Sequence, residues 1–230
     1  MAPLSLQSPI DLTSPITRAD LPPLDFRYPA GGVAATAEFR VANGDPIDGR
    51  PRAVPQVVVT PPAGAAELRI DGRAYALQSL HWHSPAEHAV HGRRPPMELH
   101  LVHAGPDGGI LVIGVLYTVG PANPALAPVF DRLGALRGSP SVDVPDLDLA
   151  GLLPPPGSRA SYRYQGSLTT ADDEGRFREG VQWVVLRHRV AAGPAQLDAH
   201  RALADAGRPN PPGSARDLQP RAGRPILTDG

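Results

Sequence analysis

The chain has 230 residues, of which 41 % are apolar and 20 % charged, and its formal net charge is -1. This composition is typical of a globular protein, and the lack of a basic block beyond Arg93-Arg94 argues against nucleic acid and anionic membranes as partners. Since the sequence has no cysteine, it excludes disulfides, thiolate metal ligands and cysteine nucleophiles.

Alternating or apolar runs of residues predict seven β-strands and, further along, two helices. The strands are Ala37–Val41, Gln56–Thr60, Glu67–Ile70, Tyr75–His83, Glu98–His103, Ile110–Val119 and Val181–His188, and the helices are Pro124–Leu136 and Pro194–Ala206. Turn signals separate the strands at Asn43-Gly44, at Asp71-Gly72 and from Pro106 to Gly109. The last turn predicts an antiparallel hairpin of the strands on either side of it.

These elements predict a mainly β (α+β) fold with a large twisted, mostly antiparallel central sheet and a few short peripheral helices. We expect one domain over residues 1–230, because motifs typical of one site lie on both sides of the proline-rich loops. The protein is expected to be a monomer or a homodimer. No window approaches a membrane span. No signal peptide is visible, which predicts a cytoplasmic protein, or a periplasmic or secreted one if the gene start is truncated.

Three histidines predict a metal site. His81 and His83 are two residues apart on a predicted strand, so they point to the same face while Trp82 faces away. A neighbouring strand carries His100, which would supply a third nitrogen. Three neutral imidazoles leave the fourth tetrahedral position of zinc free for water, an arrangement typical of catalytic sites.

Seven motifs in order resemble the α-class carbonic anhydrase family across nearly the whole chain, as a divergent bacterial-type member with a short N-terminus. They are Gln7-Ser8-Pro9-Ile10-Asp11; His81-x-His83 with Glu87-His88; Glu98-Leu99-His100-Leu101-Val102-His103; Gly151-Leu152-Leu153-Pro154; Tyr162-x-Tyr164-x-Gly166-Ser167-Leu168-Thr169-Thr170; Val181-x-Trp183; and Arg216-x-x-Gln219-Pro220. The resemblance implies a zinc-dependent carbonate dehydratase, which hydrates carbon dioxide reversibly to bicarbonate and a proton. Zinc would make hydroxide available near neutral pH, an effect for which carbonic anhydrases are the standard example.

The same resemblance implies roles for individual residues. Thr169 would orient the nucleophile and Glu87 would hold the threonine, whereas Thr170 would lie beside the bicarbonate. The family's apolar pocket wall falls on five residues, namely Val102, Val112, Leu168, Val181 and Trp183.

Three further residues are expected to support the zinc ligands. Glu98 lies on the same strand face as His100 and is expected to accept its second N–H. His88 is interpreted as a hydrogen-bonded core histidine tied to Glu98 or Tyr164. The remaining histidines, His91, His103, His188 and His200, are interpreted as ordinary.

Departures from the family pattern imply slower turnover than in its fast members. The segment from Ala171 to Arg178, strongly charged, replaces the family's Pro-Pro and predicts a more polar and more mobile pocket rim. Asp45 follows Asn43-Gly44, where fast members often carry a histidine that shuttles protons. A carboxylate is a poor relay near neutral pH.

Two alternatives come from other classes. Relatives that have lost catalysis act as binding domains, although they typically lose a zinc histidine, and this chain has all three. The stretch from His81 to Glu87 also resembles the first cupin motif of metal enzymes, but the second motif is absent.

Overall fold

The computed structural model describes residues 5–29, 31–205 and 213–229, and these form one twisted sheet of twelve strands with two α-helices. The strands are β1 (Ile16–Thr17), β2 (Asp25–Arg27), β3 (Val33–Ile47), β4 (Arg50–Thr60), β5 (Glu67–Ile70), β6 (Arg73–His83), β7 (Met97–Ala104), β8 (Ile110–Val119), β9 (Ser141–Leu147), β10 (Ser161–Ser167), β11 (Glu179–Ala192) and β12 (Leu227–Thr228). The helices are α1 (Ala127–Phe130) and α2 (Pro194–Ala204), and short 3₁₀ turns span Ala135–Arg137 and Pro156–Ser158.

The strands lie in the order β1-β12-β10-β11-β8-β7-β6-β4-β3-β9, while β5 pairs with β6 and carries β2 beyond it. In the part of the chain that the structure describes, β1–β12 and β8–β11 pair in parallel and the other neighbours are antiparallel. The predicted mainly β fold with a mostly antiparallel sheet is therefore confirmed.

All seven predicted strands are present, and the turn from Pro106 to Gly109 joins β7 to β8 as an antiparallel hairpin. The turn prediction at Asn43-Gly44 is wrong, because both residues lie inside β3 and pair with β4. The β3–β4 turn is instead at Asp48-Gly49, where φ is 51° and 75°. Positive φ at both central residues is what a tight two-residue hairpin requires.

The helix predicted over Pro124–Leu136 is wrong in extent. Only the four residues of α1 are α-helical, and they are followed by turns and a 3₁₀ turn. Pro128 has no backbone N–H to donate and is therefore tolerated only in the first turn of a helix, which explains why α1 does not begin as early as Pro124. The backbone bonds around Pro128 alternate between three- and four-residue spacing, as in Val129 to Leu126 and Phe130 to Leu126. The second helix begins at Pro194 as predicted, but its predicted end, Ala206, lies outside the described residues.

The sheet separates two apolar clusters, and the strand alternation of β6 decides which side chains face each. Trp82 is fully buried in the larger cluster, packed edge-on against Phe130. Its neighbours His81 and His83 therefore point to the opposite face, where the smaller cluster contains Trp183. Of the helices that the structure describes, none has the length and apolar character to cross a membrane.

Candidate metal centre

The histidines His81, His83 and His100 converge at the middle of the sheet. His81 on β6 is the direct register partner of His100 on β7. The ring centroids are 5.1 Å apart for His81 and His83, 5.2 Å for His81 and His100, and 4.7 Å for His83 and His100. One nitrogen from each ring lies within 4.8 Å of the others, so the three could hold one metal ion.

The protonation of His83 is fixed by its backbone partner. Nδ1 lies 3.2 Å from the carbonyl oxygen of Ser214, and because a carbonyl only accepts, Nδ1 must carry the proton. Nε2 is then an unprotonated nitrogen, 3.5 Å from the side-chain amide of Gln56. Burial, together with the charge of His100, holds the pKa of His83 well below its ordinary value. The ring is neutral, as a metal ligand must be.

The other two rings are held less firmly. Burial and the neighbouring histidines hold the pKa of His81 well below its ordinary value, and its ring nitrogens have no hydrogen-bond partner among the described residues. Nε2 of His100 is 3.1 Å from Oε1 of Glu98, but the two atoms do not form a hydrogen bond. Burial lowers the pKa of His100, but the carboxylates of Glu98 and Glu87 together outweigh burial and raise it.

Glu98 begins a buried polar chain behind His100. His88 binds Glu98 through its backbone N–H at 2.8 Å and through Nδ1 at 2.7 Å, and its Nε2 lies 2.6 Å from the hydroxyl of Tyr164. The Tyr164 hydroxyl in turn donates to Ser8 at 3.0 Å. Burial opposes ionisation of Glu98, but His88 and His100 outweigh it and hold its pKa well below the ordinary value. His88, expected to be tied to Glu98 or Tyr164, contacts both.

Glu87 is buried against the histidine cluster. Its Oε1 accepts the backbone N–H of Arg216 at 2.8 Å and lies 3.6 Å from Nδ1 of His83. Its Oε2 is buried without a hydrogen-bond partner within the described ranges, 3.9 Å from Nδ1 of His100. Thr169 is buried as well, but the expected hydrogen bond from its hydroxyl to Glu87 is not formed in the described part of the chain.

The five apolar residues expected in the pocket wall all lie in or against the smaller apolar cluster. Val112, Val181 and Trp183 are buried, whereas Val102 and Leu168 are half-buried, as is Thr170. The indole of Trp183 packs edge-on against His100, with ring centroids 4.9 Å apart. An apolar surface therefore lies directly beside the histidine cluster.

Arg216 ties the rim to this centre. Arg216 is only 4 % exposed. Its guanidinium donates to both carboxylate oxygens of Asp45 at 2.8 Å, to the side-chain oxygen of Gln7 at 3.0 Å and to the carbonyl oxygen of Ser8 at 2.7 Å. It also stacks over Phe177, 3.5 Å from the ring centroid. Asp45 is thus held in an ion pair at the position where a proton shuttle is expected.

The rim segment from Ala171 to Arg178 is polar, as predicted, and is closely hydrogen-bonded. Ala171 donates to the carbonyl of Asn43 at 2.7 Å, and Asp172 caps a turn by accepting the backbone N–H groups of Glu174 and Arg176 at 3.1 and 2.8 Å. The mobility expected of this segment remains a prediction.

Sequence patterns did not identify Gln56 or Ser214 as neighbours of the cluster. Gln56 directly precedes a run of three valines and is 5 % exposed in the fold. A polar residue beside such an apolar run is the signal that could have pointed to it. Ser214 contacts His83 through its backbone carbonyl. Every residue type has this group, so the sequence gives no signal for the contact.

Comparisons with known proteins agree with this arrangement. Residues 2–230 match the family model of the eukaryotic-type carbonic anhydrases. A carbonic anhydrase of Klebsiella pneumoniae is 31 % identical over 223 residues, which are 96 % of this chain and 79 % of that protein.

Two solved structures have a similar fold. A hyperthermostable carbonic anhydrase from an active hydrothermal vent chimney superposes with a TM-score of 0.75 at 26 % identity, over 97 % of this chain and 87 % of its own. Dioscorin complexed with ascorbate superposes with a TM-score of 0.78 at 27 % identity, over 97 % and 85 %.

Proposed function

We propose, because the chain belongs to the eukaryotic-type carbonic anhydrase family, that it is a zinc-dependent carbonate dehydratase. It would convert carbon dioxide and water reversibly to bicarbonate and a proton. The observation that carries the proposal is the convergence of His81, His83 and His100, with one nitrogen from each within 4.8 Å of the others. Three imidazole ligands are typical of zinc sites that keep a fourth position open for chemistry.

The donor set fits zinc. Zinc prefers neutral imidazole nitrogens in a compact tetrahedral arrangement, and burial favours the neutral form of both His81 and His83. The bond from His83 to Ser214 leaves its Nε2 unprotonated and so able to bind a metal ion. Glu98 lies 3.1 Å from Nε2 of His100, close enough to accept its outer N–H after a small rotation of the ring. When bound, zinc would lower the pKa of a water molecule and so provide a nucleophile near neutral pH.

Thr169 and Glu87 would orient that nucleophile. The Thr169 hydroxyl would accept a hydrogen bond from the nucleophile and donate one to Oε2 of Glu87. A buried carboxylate oxygen without a donor is costly, and Oε2 of Glu87 has none among the described residues. Because Oε1 is already taken by Arg216, Oε2 is the oxygen that remains for Thr169.

The apolar wall would hold the substrate. Carbon dioxide has no net dipole, so an apolar surface beside the ligands can hold it without competing for hydrogen bonds. Val112 and Trp183 lie in the apolar cluster that also receives Val102 and Leu168. Thr170, half-buried next to Thr169, would contact the bicarbonate as it leaves.

Proton release would limit the rate. Each cycle must deliver one proton to solvent, and a histidine suits this task near neutral pH. Here the corresponding residue is Asp45, whose two carboxylate oxygens are both engaged by Arg216. We therefore expect turnover to be slower than in the fast members of the family.

A binding function without catalysis is the second candidate, and the similarity to dioscorin complexed with ascorbate is the observation in its favour. The complete set of three histidines favours the enzyme. The cupin alternative is not favoured, because the family match spans residues 2–230.

Stopped-flow hydration of carbon dioxide, with zinc content measured on the same preparation, tests the proposal. His100→Ala should lose most of the zinc and the activity. His188→Ala is the matched control, since His188 is an exposed histidine on β11, and it should retain both. Wild-type protein that carries zinc but does not hydrate carbon dioxide would favour the binding function instead.

A further inference from the structure

His200 is a buried histidine of α2 with one polar contact among the described residues. It is 1 % exposed, and its ring stacks on Phe130 with centroids 5.7 Å apart. Burial lowers its pKa to about 4, so the ring is neutral near pH 7. Nδ1 lies 2.8 Å from the hydroxyl of Ser84, whereas Nε2 has no partner within the described ranges. The hydrogen bond to the Ser84 hydroxyl is therefore the polar interaction that this ring makes among the described residues.

Ser84 directly follows His83 and is bound in both directions to Ser214. The backbone N–H of Ser214 donates to the carbonyl of Ser84 at 3.0 Å, and the backbone N–H of Ser84 donates to the hydroxyl of Ser214 at 3.2 Å. Gly213 permits this approach, because its φ is +98° and a Cβ there would collide with the carbonyl oxygen of Ser84. The two segments are thus fixed against each other next to the metal centre.

The other side of Ser214 acts on His83. Its carbonyl accepts Nδ1–H of His83 at 3.2 Å, which fixes the tautomer and the ring plane. A continuous chain of contacts therefore runs from His200 through Ser84 and Ser214 to His83, and every step is between 2.8 and 3.2 Å.

We propose that His200 is a positioning residue for His83, acting through Ser84 and Ser214. Contacts beyond the ligands that orient a metal-binding histidine set both its tautomer and its affinity for metal. The consequence for metal retention rests on the proposed zinc site, whereas the consequence for the His83 tautomer does not.

The tautomer tests the inference without any metal. Imidazole ¹⁵N NMR of the metal-free protein should show His83 protonated at Nδ1. His200→Phe keeps an aromatic ring against Phe130 but has no nitrogen, and Ser84→Ala lacks the hydroxyl. Both should give His83 a mixture of tautomers, and His200→Asn, whose amide can reach Ser84, should restore the Nδ1–H form. A single unchanged tautomer in both His200→Phe and Ser84→Ala would overturn the inference.

Zinc dissociation into a chelator gives the second measurement. His200→Phe and Ser84→Ala should each lose zinc about 10-fold faster, the lower end of the range for outer contacts of ligating histidines. The double variant should lose it no faster than either one, because both interrupt the same chain. Leu197→Ala is the matched control: Leu197 is also buried on α2, and its loss should change the rate less than twofold.

Equal acceleration in Leu197→Ala would show that general loosening of α2 is the cause, and would contradict the positioning role. If the wild type binds no zinc, the proposed function fails, and the tautomer measurement alone decides this inference.

Discussion

The backbone N–H of Arg216 donates a hydrogen bond to Oε1 of Glu87 over 2.8 Å, although 129 residues separate the two in sequence. The bond occupies one carboxylate oxygen and leaves Oε2 buried, without a partner among the described residues. The Arg216 side chain meanwhile binds Asp45 and stacks on Phe177. One residue thus connects the pocket rim to the carboxylate that is proposed to orient the nucleophile.

Removing either member of the Thr169–Glu87 pair should reduce hydration without releasing zinc. In Glu87→Gln the amide can still accept from Arg216 but cannot accept a hydrogen bond on its NH₂ group. Loss of an oriented hydrogen bond at a reacting oxygen commonly costs on the order of 10²-fold in rate. Stopped-flow rates and zinc content of Glu87→Gln and Thr169→Val provide the test.

Two controls accompany these variants. Thr169→Ser retains the hydroxyl and should keep most of the rate. Glu67→Gln alters a carboxylate that forms a partly exposed ion pair with Arg69. It should change neither the hydration rate nor the zinc content. Full activity in Thr169→Val would mean that the orienting group is another residue.

Turnover should rise with the concentration of an imidazole buffer, because a group with a pKa near neutrality can carry away the proton released in each cycle. Since Arg216 already engages both Asp45 oxygens, Asp45→Asn should leave the low-buffer rate within about twofold, the small effect expected of a poor relay. The measurement is the hydration rate at saturating carbon dioxide across buffer concentrations. A rate independent of buffer in the wild type would place the limiting step in the chemistry.

Acid should destabilise the fold partly through His103. Burial, with opposing contributions from backbone hydrogen bonds, lowers its pKa to about 4, whereas an unfolded histidine titrates near 6.5. Between these values the unfolded chain binds a proton that the folded chain does not, so the stability contribution present above pH 6.5 is lost as the pH falls toward 4. At pH 5 the loss is about 2 kcal/mol.

Denaturant unfolding with chelator present, at pH 7 and pH 5, measures this effect. His103→Asn can still donate to the carbonyl of Leu101, the partner of Nδ1 at 2.9 Å, and its stability should fall less between the two pH values than that of the wild type. His188→Asn, on the exposed part of β11, should follow the wild type. An identical pH dependence in His103→Asn would rule out this contribution.

The local part of the site could be predicted from the sequence. Strand alternation places His81 and His83 on one face and Trp82 on the other. The β7–β8 turn fixes a neighbouring hairpin whose first strand carries His100 opposite His81. Both placements are short-range consequences of strand geometry, so they can be predicted from the periodic pattern of apolar and polar residues.

The remaining contacts could not be predicted, because they join distant segments through the backbone or through loops. The bond from His83 to Ser214 spans 131 residues and uses a carbonyl, which every residue type provides. The ion pair between Asp45 and Arg216 spans 171 residues. It forms because β3 continues through Asn43-Gly44 instead of turning there. Strands such as β1, β2 and β12, with two or three residues each, are too short to show a period.

Titration of the metal-free protein with zinc, followed by the initial rate of carbon dioxide hydration after each addition, tests the central claim most directly. The three-histidine site predicts a rate that rises linearly to one zinc per chain, the stoichiometry of a single tetrahedral site, and then stays constant. A preparation that takes up one zinc and remains inactive, or that is fully active before any zinc is added, would contradict the account.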